Sequence, residues 1–427
     1  NAGIDRLEIN CATVSLGLDL KALKEIVNQS SGDVSITTAL ATGLSKQAQA
    51  FIGNRPVYDI TVSYVSDGKI VNVSNLGSGT ATLSILYTPN KNESIDYLFG
   101  IYTDSEGDVT SIPGSAYDIN SRSLIITTNH LSIYGVGYTE PSAKFTDIKT
   151  HWGKEYIDYV AGRRLLSGTS DTTFAPDTAM TRGMLVTVLG RMGGVDAKAY
   201  TTSSFTDVST GKYYHPYVEW AYKNGIVQGI GNQQFAPDRA VFREEIAVIF
   251  ANYAKAVGYK LPVIREATTY MDDSSIDDVY KTACTAIQQA GIMMGDNSNK
   301  FNPKSSTTRA EVSTILHRYI KLTINPATAQ GWSINDAGQY FYYKNGKALS
   351  GWQNIGDVKY FFNIDNTLKT GWVKDGESWS YYSGNQMLTG WRNIGGKWYY
   401  FNTDGSLAKN TIIDGYEVDE NGVRKTK

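Results

Sequence analysis

One spacing pattern recurs three times without a gap, and it limits what the middle of this chain can fold into. It runs through Gly168, Phe174, Pro176 and Arg182 in GTSDTTFAPDTAMTR, through Gly229, Phe235, Pro237 and Arg243 in GIGNQQFAPDRAVFR, and through Gly295, Phe301, Pro303 and Arg309 in GDNSNKFNPKSSTTR. The separations are 6, 2 and 6 residues each time, and the units recur after 61 and then 66 residues. Apolar residues before each Gly fall at matching places: Ile157, Val160, Leu165 and Leu166, then Val218, Ala221, Ile226 and Val227, then Cys284, Ile287, Ile292 and Met293. A second amphipathic run follows each Arg, with Leu185, Val188, Leu189 and Met192 in the first copy and Ile246, Ile249, Phe250 and Tyr253 in the second. Each unit therefore reads as helix, loop, helix. A two-helix unit this small cannot bury its own apolar faces, so the three copies must share a core. Cys284 takes the place of Ile157 and Val218, which makes it a buried, inert thiol.

The third copy shows its helix start most clearly. Thr308 caps it, Glu311 completes a capping box, and Val312, Ile315, Leu316 and Tyr319 line one face. Arg309 stands in the first turn, where the helix dipole disfavours a cation. Two explanations stand side by side: a fork aimed at an anionic ligand, or an ion pair with a neighbour such as Glu245 or Glu311.

Charge and composition remove several functions. At 427 residues the chain holds two to four domains, and a formal net charge of −2 gives no nucleic-acid footprint. Two cysteines, Cys11 and Cys284, and four scattered histidines form no disulfide framework, zinc site or other metal centre, and nothing calls for a cofactor. No run of 18 apolar residues provides a membrane span. The start at Asn-Ala-Gly reads as a mature or trimmed fragment.

The pattern FTDI…HW…GRRLLSG…FAPDTAMTR and its two successors, over about 144–322, resembles S-layer homology domains, the cell-surface anchoring modules of bacteria. The resemblance implies three units in a pseudo-threefold spindle around a central helical bundle. It also implies grooves that bind secondary cell-wall polysaccharide, often through a pyruvylated sugar. Carried over position by position, the binding residues are Asp147, Trp152, Gly168 and Arg182 in the first unit. They are Asp207, Tyr213, Gly229 and Arg243 in the second, and Asp272, Gly295, Arg309 and Glu311 in the third. On this view the arginines serve affinity and are dispensable for the core. The copies also differ: Met184 replaces the Glu of the first, Phe242 replaces the capping Thr of the second, and Val279 stands where Trp152 and Tyr213 stand.

From Gly331 the texture changes. Six of the eight tryptophans lie between Trp332 and Trp398, and Trp332, Trp352, Trp372 and Trp391 are spaced by 20, 20 and 19 residues. Aromatic clusters between Asn/Asp-Gly turns read as β-hairpins stacked into a solenoid, with GYEVDENGVRKTK as a degenerate cap. The tract 331–427 resembles choline-binding and glucan-binding cell-wall repeats. The resemblance implies an aromatic cage for a quaternary ammonium, drawn from Trp372, Trp379, Tyr381, Trp391, Trp398 and Tyr399. Tyr340 and Lys359 hold the equivalent places earlier, and the Lys359 cation would repel choline. Choline binding, a glycan-stacking surface and a purely structural core remain open.

Residues 1–141 read as mostly β, with DLKALKEIVNQ the one clear helix. Cys11, on the alternating run LEINCATVSL, is expected within a strand and buried. Asp104, Glu106 and Asp108 read as a solvated hairpin tip, with a Ca²⁺ site as the alternative. His130, Leu131 and Ser132 match the His-x-Ser of self-cleaving sandwich domains, yet lie in LIITTNHLSIYGVGY, which reads as one continuous strand.

The expected fold class is multidomain α and β: an N-terminal β-sandwich with minor helix over 1–141, an all-α trimer of units at 142–202, 203–266 and 267–325, and a β-hairpin solenoid at 331–427. The expected function is non-catalytic, extracellular attachment to cell-wall polysaccharide, with a choline-bearing polymer or glucan as a second partner. The alternatives are the anchoring region of a surface enzyme, such as a glycan hydrolase with its catalytic domain before Asn1, and a self-cleaving module at His130.

Overall fold

The computed structural model describes residues 5–73, 75–104, 107–140, 144–296, 298–335 and 338–425. Two compact units emerge. The first comprises the described residues of 1–262, 278–287 and 303–328, and the second those of 263–277, 288–302 and 329–427. The partition cuts across the third repeat, whose loop residues 288–302 belong to the second unit.

The N-terminal part of the first unit contains two antiparallel sheets. One is ordered Arg6–Asn10, Val14–Asp19, Ala81–Leu86, Ser123–Thr128 and Ala116–Asp118. The other is ordered Val34–Leu40, Val57–Ser66, Ile133–Tyr138, Leu98–Thr103 and Val109–Ile112, with Lys69–Val73 also paired to Val57–Ser66. Period-two alternation sends Leu16, Leu18, Leu83, Ile85, Leu124 and Ile126 from one sheet into a single cluster with Ile60, Val62, Leu98, Tyr134 and Val136 from the other. The expected helix is α1 (Leu20–Gln29), capped by Asp19, whose carboxylate accepts the Ala22 N–H at 2.7 Å. A short second helix, α2 (Lys46–Ile52), is capped by Ser45.

Two expectations fail here. The run LIITTNHLSIYGVGY is two strands in different sheets, with Asn129–Ser132 crossing between them. Alternating residues cannot reveal such a crossing, because both halves satisfy the same period. Cys11 is exposed rather than buried, since it lies in the turn between the first two strands.

Among the described residues the repeats supply six α-helices: α3 (Lys154–Gly162), α4 (Arg182–Met192), α5 (His215–Lys223), α6 (Arg243–Ala256), α7 (Asp278–Gln289) and α8 (Arg309–Ile324). Every apolar position named from the repeat pattern is buried, Cys284 included. The segments before α4, α6 and α8 join in a closed ring of backbone hydrogen bonds. Met180 N–H donates to the Thr307 carbonyl, Thr307 N–H to Val241, and Val241 N–H to Met180, at 2.8, 3.1 and 2.9 Å.

The helices share the first unit with the sandwich through Arg163, which is 1% exposed. Its guanidinium donates to the Asp96 and Leu98 carbonyls and lies 3.5 Å from the Tyr159 ring centroid. Lys321 of α8 pairs with Asp96 at 2.6 Å.

In the second unit, the described residues form five successive hairpins between Gly331 and Val418. Three have two-residue turns opened by Gly356, Gly376 and Gly395 at φ near 60°, the left-handed region that glycine enters freely. Phe341, Tyr360, Phe362, Tyr382 and Phe401 are the buried aromatics of this stack.

Candidate functional site

The three candidate groove aspartates hold the Phe-x-Pro loops. Asp147 accepts the N–H groups of Phe174 (3.0 Å) and Ala175 (2.7 Å). Asp207 does the same for Phe235 and Ala236, and Asp272 for Phe301 and Asn302, all at 2.7 or 2.8 Å. Burial works to raise the Asp147 pKa, but the two N–H bonds and the Arg309 charge outweigh it and hold the carboxyl below its ordinary value. Ala175, Ala236 and Asn302 all sit at φ 56°. For a residue with a Cβ this costs roughly 1–2 kcal/mol, which the carboxylate bonds offset.

The other side of the first two loops is held by an arginine from a different repeat. Arg309 Nε donates to the Phe174 carbonyl at 2.9 Å and Nη2 to Ser167 at 2.6 Å, with the guanidinium 4.4 Å over the Phe174 ring. Arg182 treats Phe235 and Gln228 alike, at 2.9 and 2.8 Å, and lies 4.5 Å over Phe235. Arg182, Arg243 and Arg309 are only 5, 4 and 3% exposed. The expectation that these arginines are dispensable for the core is therefore corrected: Arg182 and Arg309 clamp loops between repeats, and all three are interior. A buried fork that meets carbonyls in place is stabilised more than the helix dipole opposes it.

The three glycines are fixed by close approach. A Cβ at Gly168 would lie 2.5 Å from the Phe145 ring, at Gly229 2.7 Å from Phe205, and at Gly295 2.5 Å from Tyr270.

The paired explanation of the arginines is realised for two of them. Arg182 Nη1 meets Glu245 and Arg243 Nη1 meets Glu311, each at 3.5 Å. Each Glu also accepts the N–H of its own cap residue, Phe242 or Thr308. Continued round the ring, the partner of Arg309 would stand at position 184, which is Met184. Among the described residues Arg309 has no carboxylate ion-pair partner. The charges and dipoles acting on it are Tyr213, 54% exposed, and Asp147, already engaged with backbone N–H.

The stacking residues are placed unequally. Trp152 is half-buried beside His151 at 5.4 Å. Val279 is 78% exposed and lies inside the first turn of α7, because α7 begins three residues ahead of the position that matches the starts of α3 and α5. The aromatic that acts on Arg182 is the next residue, Tyr280.

In the hairpins, Trp372 pairs across its own strands with Tyr381 (5.3 Å). It also touches Trp379 (6.2 Å) and, from the following hairpin, Tyr399 (4.9 Å). Trp391 pairs with Tyr400 and meets Tyr416, a residue not singled out from the sequence because its repeat is degenerate. Trp398 is 40% exposed. These tryptophans are half-buried or exposed, while the stack core is built from the other aromatics.

His130 and Ser132 are engaged separately. Ser132 Oγ donates to the Thr103 carbonyl at 2.9 Å, and the imidazole meets Thr128 Oγ1 at 3.1 Å. Neither residue has the left-handed φ of a strained turn, so a base–nucleophile pair is not assembled. Asp104 and Asp108 bond to each other's backbone at a hairpin tip, and Glu106 lies outside the described residues.

Comparison with known proteins bears on both regions. The S-layer homology domain model matches 144–183, 204–247 and 270–313. The choline-binding repeat model matches 388–418 and the cell wall binding repeat model 370–386. An amylopullulanase of Thermoanaerobacterium thermosulfurigenes is 28% identical over 71% of this chain and 16% of its own length. An S-layer protein of Bacillus thuringiensis subsp. finitimus is 25% identical over 46% of this chain and 24% of its own. The chain thus spans a quarter or less of these relatives. Choline binding protein F of Streptococcus pneumoniae is 40% identical over 23% of this chain and 34% of its own, with a TM-score of 0.21. Among the described residues no helix is long and apolar enough to cross a membrane. The chain carries three S-layer homology domains followed by repeats of the choline-binding, cell-wall-binding type.

Proposed function

We propose that this chain holds a larger protein non-covalently at the bacterial cell wall by taking an anionic wall polysaccharide, pyruvylated or otherwise acidic, into the groove headed by Arg309. Its S-layer homology domains make it cell-wall or S-layer associated. The observation that carries the ligand reading is the unmatched Arg309. Its two sister arginines have their outer nitrogens answered by Glu245 and Glu311, whereas Met184 leaves Arg309 for an external carboxylate. The exposed ring of Tyr213 offers a sugar a face beside it. The closed backbone ring supports reading the three repeats as one pseudo-threefold assembly. The hairpin tryptophans supply a second wall-polymer or glycan surface. We read the chain as non-catalytic, because the groove carboxylates hold backbone N–H groups. A second reading, the anchoring region of a glycan hydrolase, is favoured by the partial match to an amylopullulanase and is decided by the full-length gene.

The test is co-sedimentation of the chain with cell-wall sacculi before and after hydrofluoric acid strips the wall polymer. Binding to native walls alone is expected, and equal binding to both sinks the proposal. Met184→Glu isolates the groove. It completes the capping box that Thr181 begins, so stability should hold or rise, while the new carboxylate takes the free edge of Arg309. Losing one charge-assisted contact of about 1.5–3 kcal/mol weakens affinity about 10- to 150-fold. Unchanged affinity in Met184→Glu removes Arg309 as the ligand group.

A further inference from the structure

We propose that Arg424 is a built-in cation that fills the last aromatic site of the hairpin stack, so that this site is closed to an external quaternary ammonium. Its guanidinium carbon lies 4.4 Å from the Tyr416 ring centroid, 5.5 Å from Trp398 and 5.8 Å from Trp391. All three distances fall within the range at which a cation is held by a ring face. Among the described residues Arg424 has no carboxylate partner, while its neighbour Lys425 pairs with Glu417. The aromatic faces are thus the groups that meet its guanidinium.

Its place in the repeat shows that the arginine is a departure. Leu368 N–H donates to the Tyr340 carbonyl, Leu407 N–H to Trp379, and Arg424 N–H to Trp398, at 2.7, 2.7 and 2.9 Å. Where two earlier hairpins seat a leucine, the last seats a cation whose head reaches the rings. A milder version of the same device occurs earlier. Lys359 Nζ lies 4.7 Å from the Trp352 ring and is tied to Asp375 at 2.5 Å. Among the described residues the cluster of Trp372, Trp379 and Tyr399 has no cation placed over several of its rings; the Lys374 ammonium meets Trp379 alone, at 5.9 Å. Of the clusters built on Trp372 and Trp391, the first is therefore the one left open to an ammonium ligand. The inference rests on hairpin geometry and is independent of the Arg309 groove.

Two measurements test it. In the intact chain the Arg424 δ-methylene protons should resonate upfield of their unfolded position through the ring currents of three aromatics. They should move back in Trp398→Ala. An unfolded-like shift overturns the proposal. Second, choline chloride is titrated calorimetrically into the chain, Arg424→Leu and Arg424→Gln, with far-UV circular dichroism confirming each fold. Leu restores the residue of the earlier hairpins and Gln removes only the charge. Each folded variant should bind one more choline equivalent than the natural chain. The same number of equivalents in a folded variant overturns the proposal.

Discussion

At the scale of single residues, Arg182 and Arg309 show a local penalty outweighed by a distant gain. A cation in a helix's first turn costs about 0.3–1 kcal/mol. Each of these two forks instead satisfies two loop carbonyls from another repeat and covers a phenylalanine. Arg182→Ala leaves the buried Phe235 carbonyl without its donor, a loss of about 1–3 kcal/mol, and also removes the part-buried bond to the Gln228 carbonyl. We expect a lower denaturation midpoint in urea, with Arg182→Lys intermediate because it keeps the charge but not the fork. A midpoint equal to that of the natural chain would show these bonds to be incidental. The arginines were visible in the sequence as a repeat; their burial was not, since spacing along the chain carries no measure of what another repeat lays over a side chain.

At the scale of an element, α8 carries a pH response. His317 is packed edge-on against Tyr156 and Tyr159, with ring centroids 5.1 and 4.5 Å away, and its Nδ1 is shut off from solvent. Burial, reinforced by the Lys321, Arg163 and Arg318 charges and opposed by Asp96, pushes its pKa down to about 3. An unfolded histidine takes its proton near 6.5, whereas the folded one resists until about 3. Stability is therefore full above about pH 6.5 and falls as pH drops, by at most about 1.4 kcal/mol per pH unit for this one proton. The Asp96 carboxyl, itself held below its ordinary 3.8, adds to the loss only at lower pH. His317→Phe should flatten the stability profile between pH 4 and 6.5, followed by helical circular dichroism in denaturant. An unchanged slope would assign the acid sensitivity elsewhere. Elements themselves were largely legible: caps and apolar periods marked α1, α4 and α8. The early start of α7, three residues ahead of the position that matches α3 and α5, was not, because the spacing of apolar positions does not fix where a helix begins.

At the scale of the molecule, the two compact units carry different reporters. Helices α1 to α6 and α8 lie in the first, and six of the eight tryptophans lie in the second, with only Trp152 and Trp220 in the first. Unfolding followed at 222 nm and by tryptophan fluorescence should give different midpoints, as expected when two cores lose cooperativity with each other. Superimposable curves would show that the whole chain unfolds as one.

What the sequence by itself determined is whatever repeats. Period and spacing located three helical units, their buried apolar positions and the hairpins, because each copy must present the same face to its neighbours. Alternation likewise located most strands of the N-terminal region. Tertiary structure alone decided what differs between copies. It showed the Asn129–Ser132 crossing between sheets, the exposure of Cys11, the pairing of Arg182 and Arg243 with glutamates, and the solitary Arg309. It also brought Arg424 over three rings. These depend on which non-adjacent residues meet, and meeting is set by packing between copies rather than by any pattern within one.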